Sequence, residues 1–505
     1  MNGEVLQGFM QALQPSSMLA TALGSMLGIT VGMIPGMTIS TGIIIVLPLT
    51  FVLDPNMSIA LLLGLYVGGM MGGSFSAILL NIPGTPSAAA TALDGHPMVA
   101  RGEAERALGI AILASFVGGL FSFFCLFLIA PNLADLALGF RAPDLFSLVF
   151  LGLTIICSFA ARSLIKGLLS AVIGLAIVSI GQDPVMGTAR FTFGDASLLS
   201  GIHFLTALIG LFAIPQLIEN LGSVELERTP RSPPLRFKNI LPRPADIRRM
   251  RLPTGIGSVV GAFLGILPGA GGPIAAFISY DYAQKAAREP EEFGKGAVEG
   301  IAAPESANSA VTGGALVPMM TLGIPGDPVT AILIGALLVH GLAPGPLLFI
   351  ERADFAYGII FSFFWANMFN LIIAFTGLRL LVKLIAMPRV VLMPTIAILC
   401  VVGSYALRNS VFDVYVMFIF GLLGLGMKWL DMPVVPLLLA LVLGRPLEEH
   451  LRIALTGSQG DVSVFFTSPF SALFLSLSAV SIAWSIVNAR RSRSAGQQRQ
   501  DFRSS

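Results

Sequence analysis

The chain has 505 residues, 55% of them hydrophobic and 11% charged, with a mean hydropathy of +0.85. That composition excludes a soluble globular protein and a disordered chain, and it defines a polytopic membrane protein. The formal net charge of +2 excludes little by itself; the placement of the charges says more.

A hydrocarbon core needs about 20 apolar residues per helix. Apolar runs lie near 17–53, 57–93, 107–130, 143–160, 163–180, 197–220, 255–279, 297–323, 327–350, 355–385, 389–406, 411–429, 433–443 and 463–487. Several are long enough to be broken pairs or re-entrant hairpins, so roughly 11 to 14 helical pieces are expected. Residues 1–16 read as a short amphipathic entry ending at Pro15, without the basic flank of a cleavable signal peptide.

The first broken run carries GSMLGITVGMIPG at 24–36, and the same pattern returns as GSVVGAFLGILPG at 257–269. Gly24, Ser25, Gly28, Gly32, Pro35 and Gly36 recur as Gly257, Ser258, Gly261, Gly265, Pro268 and Gly269. A second pair follows: NIPGTP at 81–86 and GIPGDP at 323–328, in which Pro83, Gly84 and Pro86 answer Pro325, Gly326 and Pro328. Proline removes a backbone donor and clashes with the preceding turn, and glycine tolerates dihedrals that other residues avoid, so Pro-Gly interrupts a helix. At membrane depth the freed peptide groups are tolerated only where protein buries them or where they line a wet cavity. Four breaks in matched places are the pattern of a secondary transporter whose discontinuous helices meet near the midplane. The alternative is kinked helices packed through small residues, which the G-x-x-x-G spacing also serves.

After the first break come Thr38, Ser40 and Thr41, hydroxyls able to cap a half-helix or to face a ligand. Gly64, Gly68, Gly69, Gly72 and Gly73 smooth the next helix. At the second break Asn81, Thr85 and Ser87 set neutral polar groups beside freed N–H groups, which suits a carboxylate without placing a full positive charge in the membrane. The stretch 93–109 reads as a polar loop with His96 in solvent, and the runs from 107 to 220 read as scaffold, with His203 a structural histidine. Residues 221–254 carry Arg228, Arg231, Arg236, Lys238, Arg243, Arg248, Arg249 and Arg251, whereas no Lys or Arg precedes Arg101. By the positive-inside rule that linker is cytoplasmic; a lipid-headgroup or nucleic-acid patch is the other reading of such charge.

In the second half Gly271 and Gly272 replace the hydroxyls of the first, so backbone amides must serve there. Glu299, Glu305, Asn308 and Ser309 then enter apolar sequence, the two acids either functional or interfacial. Asp327 stands where the first half has Thr85 and is either a cation-coupling group or an N-cap. Asn367 and Asn370, spaced i, i+3, are expected in interhelical hydrogen bonds. Cys125, Cys157 and Cys400 lie in apolar runs without metal or disulfide spacing. The Arg-rich tail reads as disordered and cytoplasmic.

Together PGMTIS at 35–40, LPLTFVLDP at 47–55, GGSFSAILLNIPGTPSAAATALDGHPM at 72–98, EEFGKGAVEGIAAPESANSA at 291–310 and GGALVPMMTLGIPGDP at 313–328 closely resemble the large membrane subunit of the tripartite tricarboxylate transporter family. The likeness spans most of residues 17–350 and departs from the family pattern at Ser309 and Asp327. The resemblance implies ion-driven uptake of a carboxylate, such as citrate, across the bacterial inner membrane. It also implies a small four-helix membrane subunit and a periplasmic substrate-binding protein as partners.

The expected fold is all-α and polytopic, with two related repeats inverted by analogy to transporters with paired broken helices. The first membrane repeat with its scaffold helices occupies 1–220, the basic cytoplasmic linker 221–254, the second repeat 255–487 and the tail 488–505. Substrate is expected between the breaks Pro35-Gly36, Pro83-Gly84, Pro268-Gly269 and Pro325-Gly326, in contact with Thr38, Ser40, Asn81, Thr85, Ser87, Gly271 and Asn308. Asp327 is the cation-coupling candidate, the coupling ion being Na+ or H+, with no other cofactor and no nucleic acid; a homo-oligomer is compatible with this reading. A passive anion channel is the main rival. An intramembrane enzyme and a nucleotide-driven pump lack their motifs in this chain.

Overall fold

The computed structural model describes residues 2–34, 37–159, 164–222, 240–269, 271–384 and 389–504. Their chain order is α1 (Asn2–Ala12), α2 (Pro15–Met33), α3 (Ile39–Thr50), α4 (Pro55–Leu80), α5 (Ala88–Ala100), α6 (Ala104–Ala137), α7 (Ala142–Phe159) and α8 (Leu164–Val178). A two-stranded hairpin, β1 (Gly181–Gln182) and β2 (Ala189–Arg190), precedes α9 (Phe204–Gly222), α10 (Pro244–Ile266), α11 (Gly271–Ala286), α12 (Val298–Leu322) and α13 (Pro328–Val339). The chain continues through α14 (Leu348–Glu351), α15 (Ala353–Leu384), α16 (Arg389–Ala406), α17 (Val411–Trp429), α18 (Val434–Gly457), α19 (Val464–Thr467) and α20 (Pro469–Ser504). Six helices among the described residues, α2, α4, α6 and the apolar parts of α15, α17 and α20, are long and apolar enough to cross a membrane. The protein is therefore an all-helical, multi-pass membrane protein.

The helices outnumber the expected 11 to 14 because breaks cut the long runs. The run 17–53 becomes α2 and α3, 57–93 becomes α4 and α5, and 255–279 falls mostly into α10 and α11. Local signals set the ends. Proline occupies the first turn of α2, α4, α10 and α13, where a missing N–H costs nothing. The Asp54 carboxylate caps α4 by accepting the Asn56 N–H at 2.9 Å. The stretch 93–109 is not a solvated loop: α5 and the start of α6 occupy most of it, and His96 Nδ1 lies 3.2 Å from the Ile78 carbonyl. The linker from 223 to 239, with Arg228, Arg231, Arg236 and Lys238, lies outside the described residues. The backbone of α20 continues through 488–504, where composition argues for no packed structure.

Two compact units form. The first comprises Met1–Ala137 and Phe212–Val414, the second Leu138–Leu211 and Tyr415–Ser505, so each unit draws one segment from either side of the basic stretch. In the first unit α4 and α12 are buried along almost their whole length, as helices apolar on all faces should be. Backbone-to-backbone contact holds them. Any side chain at Gly24, Gly28 or Gly32 of α2 would overlap the carbonyls of Leu61, Leu65 or Gly69 on α4. Gly257, Gly261 and Gly265 of α10 meet the carbonyls of Ala303, Ala307 and Val311 on α12 in the same way. The small-residue packing reading of these glycines is thus correct for both copies.

The second unit gathers α7, α8, α18 and α20. Ser147 and Ser471 share a hydrogen bond of 2.6 Å between α7 and α20, and Gly174 of α8 lies against the Leu437 carbonyl of α18. The hairpin pairs Gly181 with Arg190 and Gln182 with Ala189. Asp183 anchors it by accepting the N–H groups of Met186 at 2.9 Å and Val185 at 2.8 Å and by pairing with Arg452 at 2.7 Å. Those N–H groups, Met186 foremost, and the Arg452 guanidinium hold the Asp183 carboxyl well below the usual carboxylate range, at about 2.

Two outcomes follow from this packing. Gly261→Leu forces α10 off α12 where the opposing atoms are backbone and cannot yield. The expected cost is at or above the upper end of the roughly 1–3 kcal/mol seen for overpacking, read as a lower unfolding temperature of the detergent-solubilised protein. For Asp183 the folded value lies below the unfolded one, so its stabilisation is complete above about pH 4 and fades as pH falls toward 2. Protection factors of the hairpin amides in hydrogen exchange should therefore fall across that window in the wild type, and Asp183→Asn should flatten the dependence.

Candidate functional site

The breaks are built from matched caps. At the end of α4, Asn81 adopts the left-handed conformation with φ 55°, and at the end of α12 the corresponding Gly323 does so with φ 67°. Each terminates its helix by an αL cap, so Asn81, which is exposed, serves there as the non-glycine residue that best tolerates that backbone. Beyond it the Gly84 N–H donates to the Gly73 carbonyl at 3.2 Å, and the Gly84 α-carbon lies against the Gly32 carbonyl near the end of α2. In the second half the Gly269 N–H donates to the Gly326 carbonyl at 2.9 Å, and Gly326 lies against Gly265. Breaks therefore meet in pairs within each half. Pro35 and Gly36 themselves lie outside the described residues, but their neighbours Gly32 and Thr38 do not.

The two pairs also meet each other. Gly272, in the first turn of α11, packs so closely that a Cβ there would stand 2.9 Å from Asn308 Oδ1 and 3.3 Å from Ser87 Cβ. Ser87 precedes α5 but does not spend its hydroxyl on capping; it shares a hydrogen bond of 3.1 Å with Thr85. Asn308, fully buried on α12, donates its amide to the Met70 carbonyl of α4 at 3.1 Å, and its Oδ1 has no hydrogen-bond partner. The N-terminal turns of α5 and α11 thus converge on an orphan acceptor and two hydroxyls, the first N–H groups of α5 turning back on the carbonyls of Thr85, Pro86 and Ser87 at 3.1 to 3.4 Å. Thr85, Ser87 and Asn308 of the expected set come together here, with Gly272 rather than the expected Gly271 as the glycine in contact.

Thr38 and Ser40 stand elsewhere, on α3, which packs against α4, α13 and α16. Thr38 caps α3 by accepting the Thr41 N–H at 3.2 Å, and the Thr41 hydroxyl donates to Gln216 of α9. Asp327 caps α13. Its Oδ1 accepts the Thr330 N–H at 2.7 Å, Thr330 Oγ1 accepts the Asp327 N–H at 3.0 Å, and its Oδ2 accepts the Tyr66 hydroxyl of α4. Both of its oxygens are occupied.

Several polar groups emerge that motif reading did not place. Asp94, buried on α5, accepts the N–H groups of Gly296 and Ala297, each at 2.7 Å, and so caps α12 from another helix; Tyr280 of α11 donates to its second oxygen at 2.8 Å. Glu299 is partly exposed and paired with Arg249 at 2.7 Å. Glu305 is not interfacial: it is fully buried, and its Oε1 accepts the Thr91 hydroxyl of α5 at 2.5 Å. The signal that could have separated the two acids is the polar insert immediately ahead of Glu299, which Glu305 lies more than a turn beyond. Asn367 donates within its own helix, to the Phe363 carbonyl at 2.8 Å, rather than to a neighbour.

Broken helices whose N-terminal turns meet deep in an all-helical membrane bundle define a membrane transport protein. The chain matches the Tripartite tricarboxylate transporter TctA family over residues 18–439 and belongs to that family, one of transporters and not of enzymes. It is a component of a tripartite tricarboxylate transporter, and membership implies partner subunits. Over 486 residues, 96% of either chain, it is 38% identical to an uncharacterized 52.8 kDa protein in the TAR-I ttuC' 3' region of Agrobacterium vitis. An uncharacterized protein in the TAR-II ttuC' 3' region of that organism is 40% identical over 233 residues, 46% of this chain and 96% of its own. No solved structure matches the chain significantly.

If the junction of α5, α11 and α12 is where solute binds, Gly272→Val fills it without adding charge. Expected are normal membrane insertion and loss of at least about tenfold in uptake, equivalent to about 1.4 kcal/mol, measured with radiolabelled substrate in whole cells.

Proposed function

We propose that this chain is the large permease subunit of a tripartite system that takes up a tricarboxylate such as citrate, or a dicarboxylate, by ion-gradient-driven secondary active transport across the bacterial inner membrane. It receives substrate from a periplasmic binding protein and works beside a small four-helix membrane subunit. The basic stretch 221–254 and the C-terminal tail face the cytoplasm by the charge rule, and a homo-oligomer is compatible with the reading.

One observation supports this reading most. Two half-helix N-termini, the Gly271-Gly272 turn and the Ser87 turn, meet around Asn308, and Asn308 Oδ1 is left without a donor. A polycarboxylate gains charge-assisted hydrogen bonds from the peptide N–H groups, and its hydroxyl, or a cation travelling with it, meets Oδ1. The repeats are read as inverted, and the unit carrying the breaks is read as the substrate-bearing body that moves against a scaffold.

The test is uptake into proteoliposomes holding both membrane subunits, with binding protein outside and labelled di- and tricarboxylates under imposed Na+ or pH gradients. Accumulation against the substrate gradient, requiring both the binding protein and one ion gradient, is the expected result. Flux that ignores both would replace the transporter by a passive channel.

A further inference from the structure

We infer that Glu305 is the proton-carrying residue of this permease, a role that rests on the ion-driven reading above. Glu305 is fully buried, its Oε1 is held by Thr91 at 2.5 Å, and its Oε2 has no hydrogen-bond partner. Ser74 of α4 is the other hydroxyl close enough to act on the carboxyl, and its Oγ is also buried without a partner.

Among the described residues no cation acts on this carboxyl. On the helices packed against α12, Arg248 and Arg251 of α10 are exposed, and other ionisable groups are committed elsewhere. On α4 and α13, Tyr66 is bound to Asp327; on α5 and α11, Asp94 is bound to Tyr280 and to the N–H groups that open α12. On α6 and α10, Arg106 pairs with Asp246 at 2.6 Å and Arg249 with Glu299 at 2.7 Å. A lone carboxylate in that place would forfeit its hydration and gain at most the hydroxyls of Thr91 and Ser74 in return, with no opposite charge to offset the loss. A proton on Oε2 removes the charge and with it that loss, while Oε1 still accepts from Thr91. Asp327 needs no such proton, since the Thr330 N–H and the Tyr66 hydroxyl already satisfy its oxygens.

The register ties this acid to the substrate junction. Three helices each present a junction position and, about one turn away, a proton-site position: Met70 and Ser74 on α4, Ser87 and Thr91 on α5, Asn308 and Glu305 on α12. Motion that brings water to Glu305 breaks the Oε2–H bond, delivers the proton to water and leaves a carboxylate that cannot be buried again until it is reprotonated. That restriction is what couples proton flow to transport.

Difference infrared spectroscopy on the purified full chain in lipid nanodiscs reads the proton without transport. A protonated-carboxyl C=O stretch at neutral pH should be present in wild type and Asp327→Asn and reduced in Glu305→Gln. In proteoliposomes with both partners, Glu305→Gln should lose pH-gradient-driven accumulation, about tenfold per proton for a gradient of one pH unit, while substrate exchange without a gradient persists. Glu305→Asp, which keeps the acid, should retain both signals and controls for folding. An unchanged infrared band in Glu305→Gln, displacement of the band by Na+, or accumulation that still follows the pH gradient in that variant would each overturn the assignment. Wild-type protein that accumulates nothing while the infrared result holds would instead overturn the transporter reading.

Discussion

Direct contact between peptide backbones is the constraint on which the first unit depends. Where α2 meets α4 and α10 meets α12, glycine α-carbons rest on carbonyl oxygens of the facing helix, at Gly28 on Leu65 and at Gly261 on Ala307. Lipid offers no hydrophobic drive for helices to associate, so dispersion between closely approaching surfaces and the polar contacts they permit must supply it. The same approach places the breaks. Because Gly32 and Gly265 stand against the opposite helix, the chain beyond each can fold back on the partner's break, at Gly84 and at Gly326, and the interrupted backbone is covered by protein. Packing and function are therefore not separable here: the glycines that let the helices close are the reason that peptide groups can be left open a few residues later.

What those open groups face is decided by small differences between the halves. In the first half the break is followed by Thr85 and Ser87, and Ser87 leaves its hydroxyl uncommitted to capping. In the second half Asp327 at the position of Thr85 closes a capping box with Thr330 and engages Tyr66. One N-terminus thus keeps a hydroxyl free of capping and the other is closed by an acid, although the breaks before them share Pro-Gly-x-Pro. The asymmetry has an electrostatic sense. An ionised Asp327 at the first turn of α13 is stabilised by the helix it caps, and for the same reason it neutralises that N-terminus as an anion site. The N-termini of α5 and α11, which carry no acid in their first turns, keep theirs.

Much of this was legible in the sequence, and the parts that were not share a physical cause. Composition gave the helical membrane class, the duplicated Pro-Gly runs gave the location of the breaks, and the G-x-x-x-G spacing gave the close faces. Those signals are local or periodic. The cap of α12 by Asp94, about two hundred residues earlier in the chain, is neither; its Asp-Gly-His-Pro context reads locally as a turn, and only tertiary packing converts it to helix. Thr38 and Ser40 were read into the site because they follow a break; α3 carries them against α4, α13 and α16. The hairpin at Gly181–Arg190 was missed because two-residue strands have no periodicity to detect, though Asp183-Pro184 and the positive φ of Gly187 mark its turn.

The two buried acids differ in how their oxygens are met, which their sequence contexts do not show. Asp327 stands inside a duplicated motif and reads as a coupling group or an N-cap, while Glu305 sits in a stretch of alanine and serine where an acid reads as functional or interfacial. Burial does not distinguish them, since both are nearly or wholly enclosed. The accounting of lone pairs does. Asp327 receives donors on both oxygens from Thr330 and Tyr66, which makes it a finished structural element that gains nothing from a further cation. Glu305 receives one donor from Thr91 and faces Ser74 with an unmet requirement on each side. A native fold retains such an unmet requirement only where strain, an unseen water or a working proton accounts for it. Its place one turn from Asn308, on a helix with no cation to offer it, favours the proton.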